Sequence, residues 1–214
     1  MRDLLLDANF ENWKAFWGRR QDARFKAFAK KIFERDHNTC QYCAFEAKAH
    51  LEIINLDGNY QNNKSANLLT ACPFCAQCFF LESIGVGSFG GGSLIYLPEM
   101  SQSQLNALCH VLFAATEYHD NVSAQAESLL RDLKFRSIPI EKTFGEGMSE
   151  ASKFGAILLN SQLTMEARDH ILNAVRLLPQ KTRFAKVIAN WLALASLEQE
   201  TLDDSSFSLP SPIS

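Results

Sequence analysis

The sequence predicts an α+β fold, with a small cysteine-knuckle unit embedded in a mainly helical domain. Three observations carry this. Cys40-Gln41-Tyr42-Cys43 and Cys72-Pro73-Phe74-Cys75 form two Cys-x-x-Cys knuckles with 28 residues between them. Two short strand-like runs, 51–55 and 93–98, lie between and after the knuckles. From Ser101 onward, apolar residues recur at spacings of three and four, the period of a helix face.

The elements divide the chain into an N-terminal arm (1–20), a helix plus the cysteine unit (21–83), a glycine-rich connector and strand (84–100), a helical region (101–200) and a disordered tail (201–214). The arm carries Trp13, Phe16 and Trp17 without a clear period, so it is either a docking arm or a loose start. From Asp22 to Arg35, Phe25, Phe28, Ile32 and Phe33 share one helical face. Five glycines fall within residues 85–92, which calls for positive φ angles or close backbone approach. A phosphate-cradling loop needs a following helix and a Lys-Ser/Thr pair. Here Ser93 to Pro98 reads as a strand and no lysine is present, which argues against nucleotide binding.

In the second half, Ser101 with Gln104 makes a capping box, followed by Leu105, Leu108, Cys109, Leu112 and Phe113. A helix is expected over Ser123–Phe135 with Leu129, Leu130 and Leu133 inward, then a loop from Lys142 to Met148. Phe154, Ile157 and Leu158 mark a short helix. Thr164 caps another that buries Ile171, Leu172, Val175 and Leu178 and stops at Pro179. A last helix from Thr182 buries Phe184, Val187, Ile188, Trp191 and Leu192.

Composition narrows the function classes. At 214 residues and 47% hydrophobic, with sixteen phenylalanines, the chain can bury a substantial core. No apolar run approaches the roughly 18–20 residues of a membrane span, and the N-terminus turns acidic too early for a signal peptide. The expectation is a soluble protein of a reducing compartment, where cysteines serve as metal ligands, catalytic groups or core residues more often than as disulfides. The net charge of −3 demands no anionic partner. Residues 11–35 differ, with eight basic against three acidic side chains. That patch is either a solvated helix face or a surface for phosphate or an acidic partner.

The two knuckles supply four thiolates, Cys40, Cys43, Cys72 and Cys75, enough for a closed tetrahedral shell around one structural Zn2+. A redox pair, an iron–sulfur site or core cysteines are the alternatives. Cys78 is expected to pack on the helix after the second knuckle, and Cys109 in the core. A shell of four thiolates leaves no open position for water, so no zinc chemistry is expected.

Residues 34–79 resemble the HNH, or ββα-metal, finger. Arg35-Asp36 resembles the opening pair, Leu51 to Asn55 the strand, Asn62-Asn63 and Asn67 the middle segment, and Cys72 to Cys75 the closing knuckle. In active members, histidines at the strand end and in the closing helix activate water and hold a divalent ion. Here the strand ends in Ile54-Asn55, and Ala76 to Phe80 contains no histidine. Neither Ile54 nor Asn55 can act as a general base near neutral pH, and His50 sits at the other end of the strand. The scaffold resembles the finger while the catalytic set is absent, so no enzyme is expected. The alternatives are an HNH-type metal-dependent nuclease using an unorthodox set such as His37, His50 and Glu52, or a nucleic-acid-binding protein.

A wider stretch, from about Arg24 to Leu197, resembles the IcmJ (DotN) family of Dot/Icm type IV secretion systems. FERDHNTCQYC (33–43), the long segment 55–100, LCHVLF (108–113), FGEG (144–147) and RLLP (176–179) carry the resemblance. It implies a non-catalytic adaptor in the bacterial cytoplasm, recruited to the inner face of the inner membrane without inserting. It also implies binding to the C-terminal extension of the DotL coupling ATPase, with IcmS–IcmW chaperones and effectors as indirect partners. The metal residues it implies are Cys40, Cys43, Cys72 and Cys75. Interfaces favour aromatic anchors and arginines, so Trp13, Phe16, Trp17, Arg19 and Arg20 are candidate partner contacts, unless the aromatics cap the helical core.

Overall fold

The computed structural model describes residues 2–118, 121–161 and 164–206. It is an α+β fold with two separate two-stranded sheets among nine α-helices in these residues.

The N-terminal segment is helical from Phe10. Helix α1 (Phe10–Gln21) begins at Asn9, whose side chain accepts from the Asn12 amide. Asp22 ends α1 and caps α2 (Ala23–Arg35), accepting from the Arg24 and Phe25 amides. The stretch before α1 is stitched down by main-chain bonds from Asp7 N–H to Cys78 O and from Leu81 N–H to Asp7 O. Leu4, Leu6 and Ala8 are buried there.

Strand β1 (Glu52–Asn55) pairs antiparallel with β2 (Leu68–Ala71), with Glu52 opposite Ala71 and Asn55 opposite Leu68. The loop between them is organised by Asp57, which accepts from the side-chain amides of Asn62 and Asn67 and from the Asn59 N–H. Helix α3 (Pro73–Ala76) is a single turn, with 3-10 turns at Gln77–Phe79 and Leu81–Ser83 after it.

Strand β3 (Gly92–Tyr96) follows the glycine-rich segment. The glycines serve close packing. The Gly91 N–H donates to Gln77 Oε1 at 2.8 Å, and a Cβ on Gly92 would lie 2.5 Å from Leu178 O. Helix α4 (Gln102–Ala115) starts on the expected capping box. It leads to α5 (Asn121–Phe135), α6 (Ile138–Phe144), α7 (Ala151–Asn160) and α8 (Met165–Leu172), the last capped by Thr164. The helix expected to run on to Pro179 ends at Leu172. Val175–Pro179 is strand β4, antiparallel to β3 with Gly92 opposite Pro179. Pairing with β3 buries Val175, Leu177 and Leu178 and overrides the helical pattern. Leu129, expected inward, is exposed, and α6 occupies the start of the expected 142–148 loop. Helix α9 (Lys181–Ser206) buries Phe184, Ile188 and Trp191. Of the tail expected from residue 201, residues 207–214 lie outside the described residues.

One hydrophobic cluster runs from Leu4 and Phe16 through the knuckle cysteines to Phe113, Leu177 and Trp191. A smaller one joins α2 to the first sheet through Ala29, Ile32, Ile53 and Leu68. The cysteine unit therefore shares its core with the helical region. No helix among the described residues is long and apolar enough to cross a membrane.

Candidate metal centre

The first knuckle hangs on a tight turn after α2, where His37, Asn38 and Ala44 take positive φ. The Cys40 N–H donates to Phe45 O at 2.8 Å, and the Gln41 N–H donates to Thr70 O of β2 at 2.9 Å. Arg35 and Asp36 clamp this turn to the hairpin. Arg35 donates to Ser65 O and Leu68 O, while Asp36 Oδ2 accepts from the Thr70 N–H. The second knuckle starts at Cys72, the residue before α3, whose carbonyl accepts from the Cys75 and Ala76 amides.

These turns bring the sulfurs of Cys40, Cys43, Cys72 and Cys75 within 4.8 Å of one another, all buried. Cys43 Sγ and Cys72 Sγ are 3.6 Å apart. Tetrahedral coordination with Zn–S bonds of about 2.3 Å sets sulfurs about 3.8 Å apart, whereas a disulfide needs about 2.05 Å. None of the six cysteines is in a disulfide. Burial pushes the Cys72 and Cys75 thiols well up, while hydrogen bonds from Cys43, Cys72 and Cys75 hold Cys40 far below the usual thiol range. In that arrangement one thiolate is shared among thiol donors. A divalent cation resolves the crowding by displacing the protons from all four. The donor set and its spacing fit Zn2+.

Helix α4 forms the wall beside the cluster. Asn106 Nδ2 donates to Cys75 Sγ at 3.2 Å. His110 Nε2 lies 3.3 Å from Cys72 Sγ. Its ring stacks between Phe45, at 3.6 Å, and Phe74, at 4.2 Å. Burial lowers the His110 pKa to about 3, so the imidazole is neutral. Sequence reasoning missed both residues. The available signal was a polar pair four residues apart, around Cys109, on a helix that is otherwise apolar from Leu105 onward. Cys78 and Cys109 are fully buried, with the Cys78 Sγ donating to Phe74 O and burial raising the Cys109 thiol to about 12.

At the end of β1, Ile54 is fully buried and Asn55 nearly so. The Asn55 side chain is saturated. Its Nδ2 donates to Asn59 O and Asn62 O, and its Oδ1 accepts from Arg19 Nη1 at 2.6 Å. Arg19 also donates to Ile53 O and Asn63 Oδ1. A guanidinium thus sits at the strand end. His50 lies at the opposite end of the strand and meets Asn190 of α9 at 3.1 Å. Glu52 is paired with Arg20 at 2.6 Å, and burial raises its pKa to about 7. His50 and Glu52 line one cleft with Arg20, but His37, on the turn before the first knuckle, is not part of it, and among the described residues the four cysteines are the one group of His, Cys, Asp or Glu side chains gathered closely enough to hold a metal ion.

No protein-family model matches the chain. The type 4 apparatus protein DotN of Legionella pneumophila subsp. pneumophila (strain Philadelphia 1) is 47% identical over 194 residues, covering 90% of this chain and 91% of the relative. The chain belongs to the DotN family.

The five candidate partner contacts of this DotN-family chain occupy different environments. Trp13 and Phe16 are 5% and 2% exposed and pack with Phe80 and Phe89 in the core. Trp17 is half-buried, with the Arg20 guanidinium 5.1 Å from its ring. Arg19 points inward to β1, stacked on Phe25 and Tyr60, and Arg20 reaches Glu52.

Proposed function

We propose that this chain is a non-catalytic, zinc-stabilised adaptor subunit of a Dot/Icm type IV secretion coupling complex. It binds the C-terminal extension of the DotL coupling ATPase. It supports effector recruitment and export alongside the IcmS–IcmW chaperones, at the inner face of the inner membrane. The observation that carries this reading is the identity to the type 4 apparatus protein DotN along nine-tenths of both chains.

The site supports a structural role. Cys40, Cys43, Cys72 and Cys75 hold one zinc, which supplies a four-way tether between two turns and no open coordination position. The β1–β2 hairpin between the knuckles and the turn of helix after them are read as an HNH-like unit. Its strand end lacks a proton acceptor, because Ile54 is core and Asn55 is committed to Arg19. This weighs against a nuclease. The nucleic-acid reading is weakened too, since Arg19, Arg20 and Arg35 of the basic segment are spent on internal partners.

Titration calorimetry of the zinc-loaded protein against the isolated DotL extension tests the proposal. Sub-micromolar one-to-one binding is expected. A folded, zinc-loaded sample giving no heat at micromolar concentrations overturns it.

A further inference from the structure

We propose that Asn106 and His110 are outer hydrogen-bond donors to the metal-bound sulfurs, and that a Gln102–Asn106 relay ties metal loading to the position of β4. The proposal rests on the reading that the four knuckle cysteines hold zinc.

Leu177 lies on β4, which packs against α4. Its N–H donates to Gln102 Oε1 at 2.8 Å, and its carbonyl accepts from Gln102 Nε2 at 2.8 Å. A main-chain N–H can only donate, so the orientation of the Gln102 amide is fixed by the strand. The same Nε2 donates to Asn106 Oδ1 at 2.9 Å. With its oxygen turned to Gln102, Asn106 presents Nδ2 to Cys75 Sγ at 3.2 Å. Every link is dictated by the one before it, and the series ends on sulfur with a donor. Gln102 is 3% exposed and Asn106 fully buried, so no solvent can substitute.

A terminal donor requires an acceptor, and a thiolate is a far better one than a thiol. Four thiolates around one divalent cation leave two net negative charges in a buried site, which is costly unless donors face them. Asn106 faces Cys75, and His110 faces Cys72. Both sulfurs of the second knuckle thus receive a polar group from α4. The His110 ring is held by Phe45, two residues past the first knuckle, and by Phe74, inside the second. The helix is therefore anchored to both halves of the metal unit. A pair that merely joined α4 to β4 could be completed at Gln102. Asn106 Nδ2 also lies 3.9 Å from Cys78 Sγ, but its shorter contact, at 3.2 Å, is to the knuckle sulfur of Cys75, and a metal-bound thiolate there explains the extension.

The test uses full-length protein, wild type beside Asn106→Leu and Asn106→Asp. Zinc affinity is read by competition with a chromophoric chelator, and the thiolate environment by the spectrum of the Co2+-substituted form. Exchange of the Leu177 amide is followed with and without metal. Asn106→Leu is expected to weaken zinc by about 10–100-fold, as loss of outer partners does elsewhere, with Asn106→Asp weaker still. The Co2+ charge-transfer band shifts in both, and stripping metal from wild type speeds Leu177 exchange. A purely structural role lowers the thermal stability of the zinc-loaded form and leaves zinc affinity and the Co2+ spectrum unchanged, which overturns the proposal. If the Asn106 variants do not fold, His110→Gln and Gln102→Glu carry the same readouts, the latter because a carboxylate cannot donate to Asn106 Oδ1. Wild type that takes up no zinc overturns the metal reading itself. Wild type with one zinc and variants of equal affinity overturns only the donor role.

Discussion

The Arg19 guanidinium donates to Asn55 Oδ1 at 2.6 Å and to Ile53 O at 2.6 Å, closing the end of β1 with a cation. Burial lowers the Arg19 pKa to about 10, which still leaves it charged at neutral pH. Restoring a histidine there therefore does not restore a divalent-ion site. Asn55→His is expected to show no magnesium-dependent plasmid cleavage, and cleavage above the wild-type background would contradict the account. Arg19→Ala leaves the Ile53 carbonyl and Asn55 side chain short of a charged donor and unstacks Tyr60 and Phe25. A loss of about 2–3 kcal/mol is expected in urea denaturation at saturating zinc.

Glu52 makes stability fall as pH rises. Its folded pKa, raised by burial from 4.5 to about 7, exceeds its unfolded value, so the folded state binds the extra proton between those limits. The unfavourable contribution is absent below about pH 4.5, grows through the interval and is complete above about pH 7. Glu52→Gln removes it. The stability of Glu52→Gln relative to wild type should climb between about pH 4.5 and 7, by at most about 3 kcal/mol. A flat difference would mean that the Arg20 pair offsets burial completely.

Metal removal should do more than loosen a surface finger. A structural zinc contributes about 10–16 kcal/mol of apparent binding energy, comparable with the whole stability of a domain at about 5–15 kcal/mol. Cys40, Cys43, Cys72 and Cys75 also belong to the main hydrophobic cluster. Chelation under reducing conditions is expected to abolish near-UV circular dichroism. Cys72→Ser should express poorly and bind no zinc. A soluble Cys72→Ser protein with an unchanged melting temperature counts against a structural metal.

Gly155 lies inside α7, where alanine normally gains about 1 kcal/mol of helix propensity. Here a Cβ would stand 2.3 Å from the Glu82 nitrogen and 2.7 Å from the Leu81 carbonyl carbon. These are backbone atoms and cannot rotate away, so α7 must separate from the turn at 81–83. Overpacking costs of about 1–3 kcal/mol outweigh the propensity gain. Gly155→Ala is therefore expected to lower the melting temperature, whereas the same change at the exposed Gly18 of α1, with no atom within 4 Å, should raise it.

The parts of this fold that read directly from the sequence are those encoded locally. The knuckles announce their ligands by spacing, Ser101 with Gln104 announces α4, and the phenylalanine face announces α2. β4 did not read, because Arg176-Leu177-Leu178-Pro179 suits a helix end as well as a strand. Its partner, β3, lies some eighty residues earlier. α1 lacked a period because its burial is shared with the preceding Leu4 and Leu6 and with distant Phe80 and Phe89. The outer wall of the metal centre was illegible for a related reason. Asn106 and His110 acquire their role only when α4 packs beside both knuckles.

Trp13 and Trp17 should separate stability from partner binding. The Trp13 ring lies 4.5 Å from Phe89 and 5.7 Å from Phe80, buried under the N-terminal segment. Trp13→Ala is expected to cost about 3–5 kcal/mol, as large aromatic truncations in cores do. Measured on the folded fraction alone, its affinity for the DotL extension should stay within about twofold of wild type. Trp17 is tilted against Trp13 at 5.0 Å, meets Phe89 edge-on at 6.3 Å and lies near Gly87, and is half-buried beside Arg20. Trp17→Ala removes less buried area, so its melting temperature should fall less than that of Trp13→Ala. If Trp17 contacts the partner, calorimetry will show a loss of affinity that the small stability change cannot explain. If affinity is retained in both variants, the aromatic residues of α1 serve the core alone and the partner surface lies elsewhere on the chain.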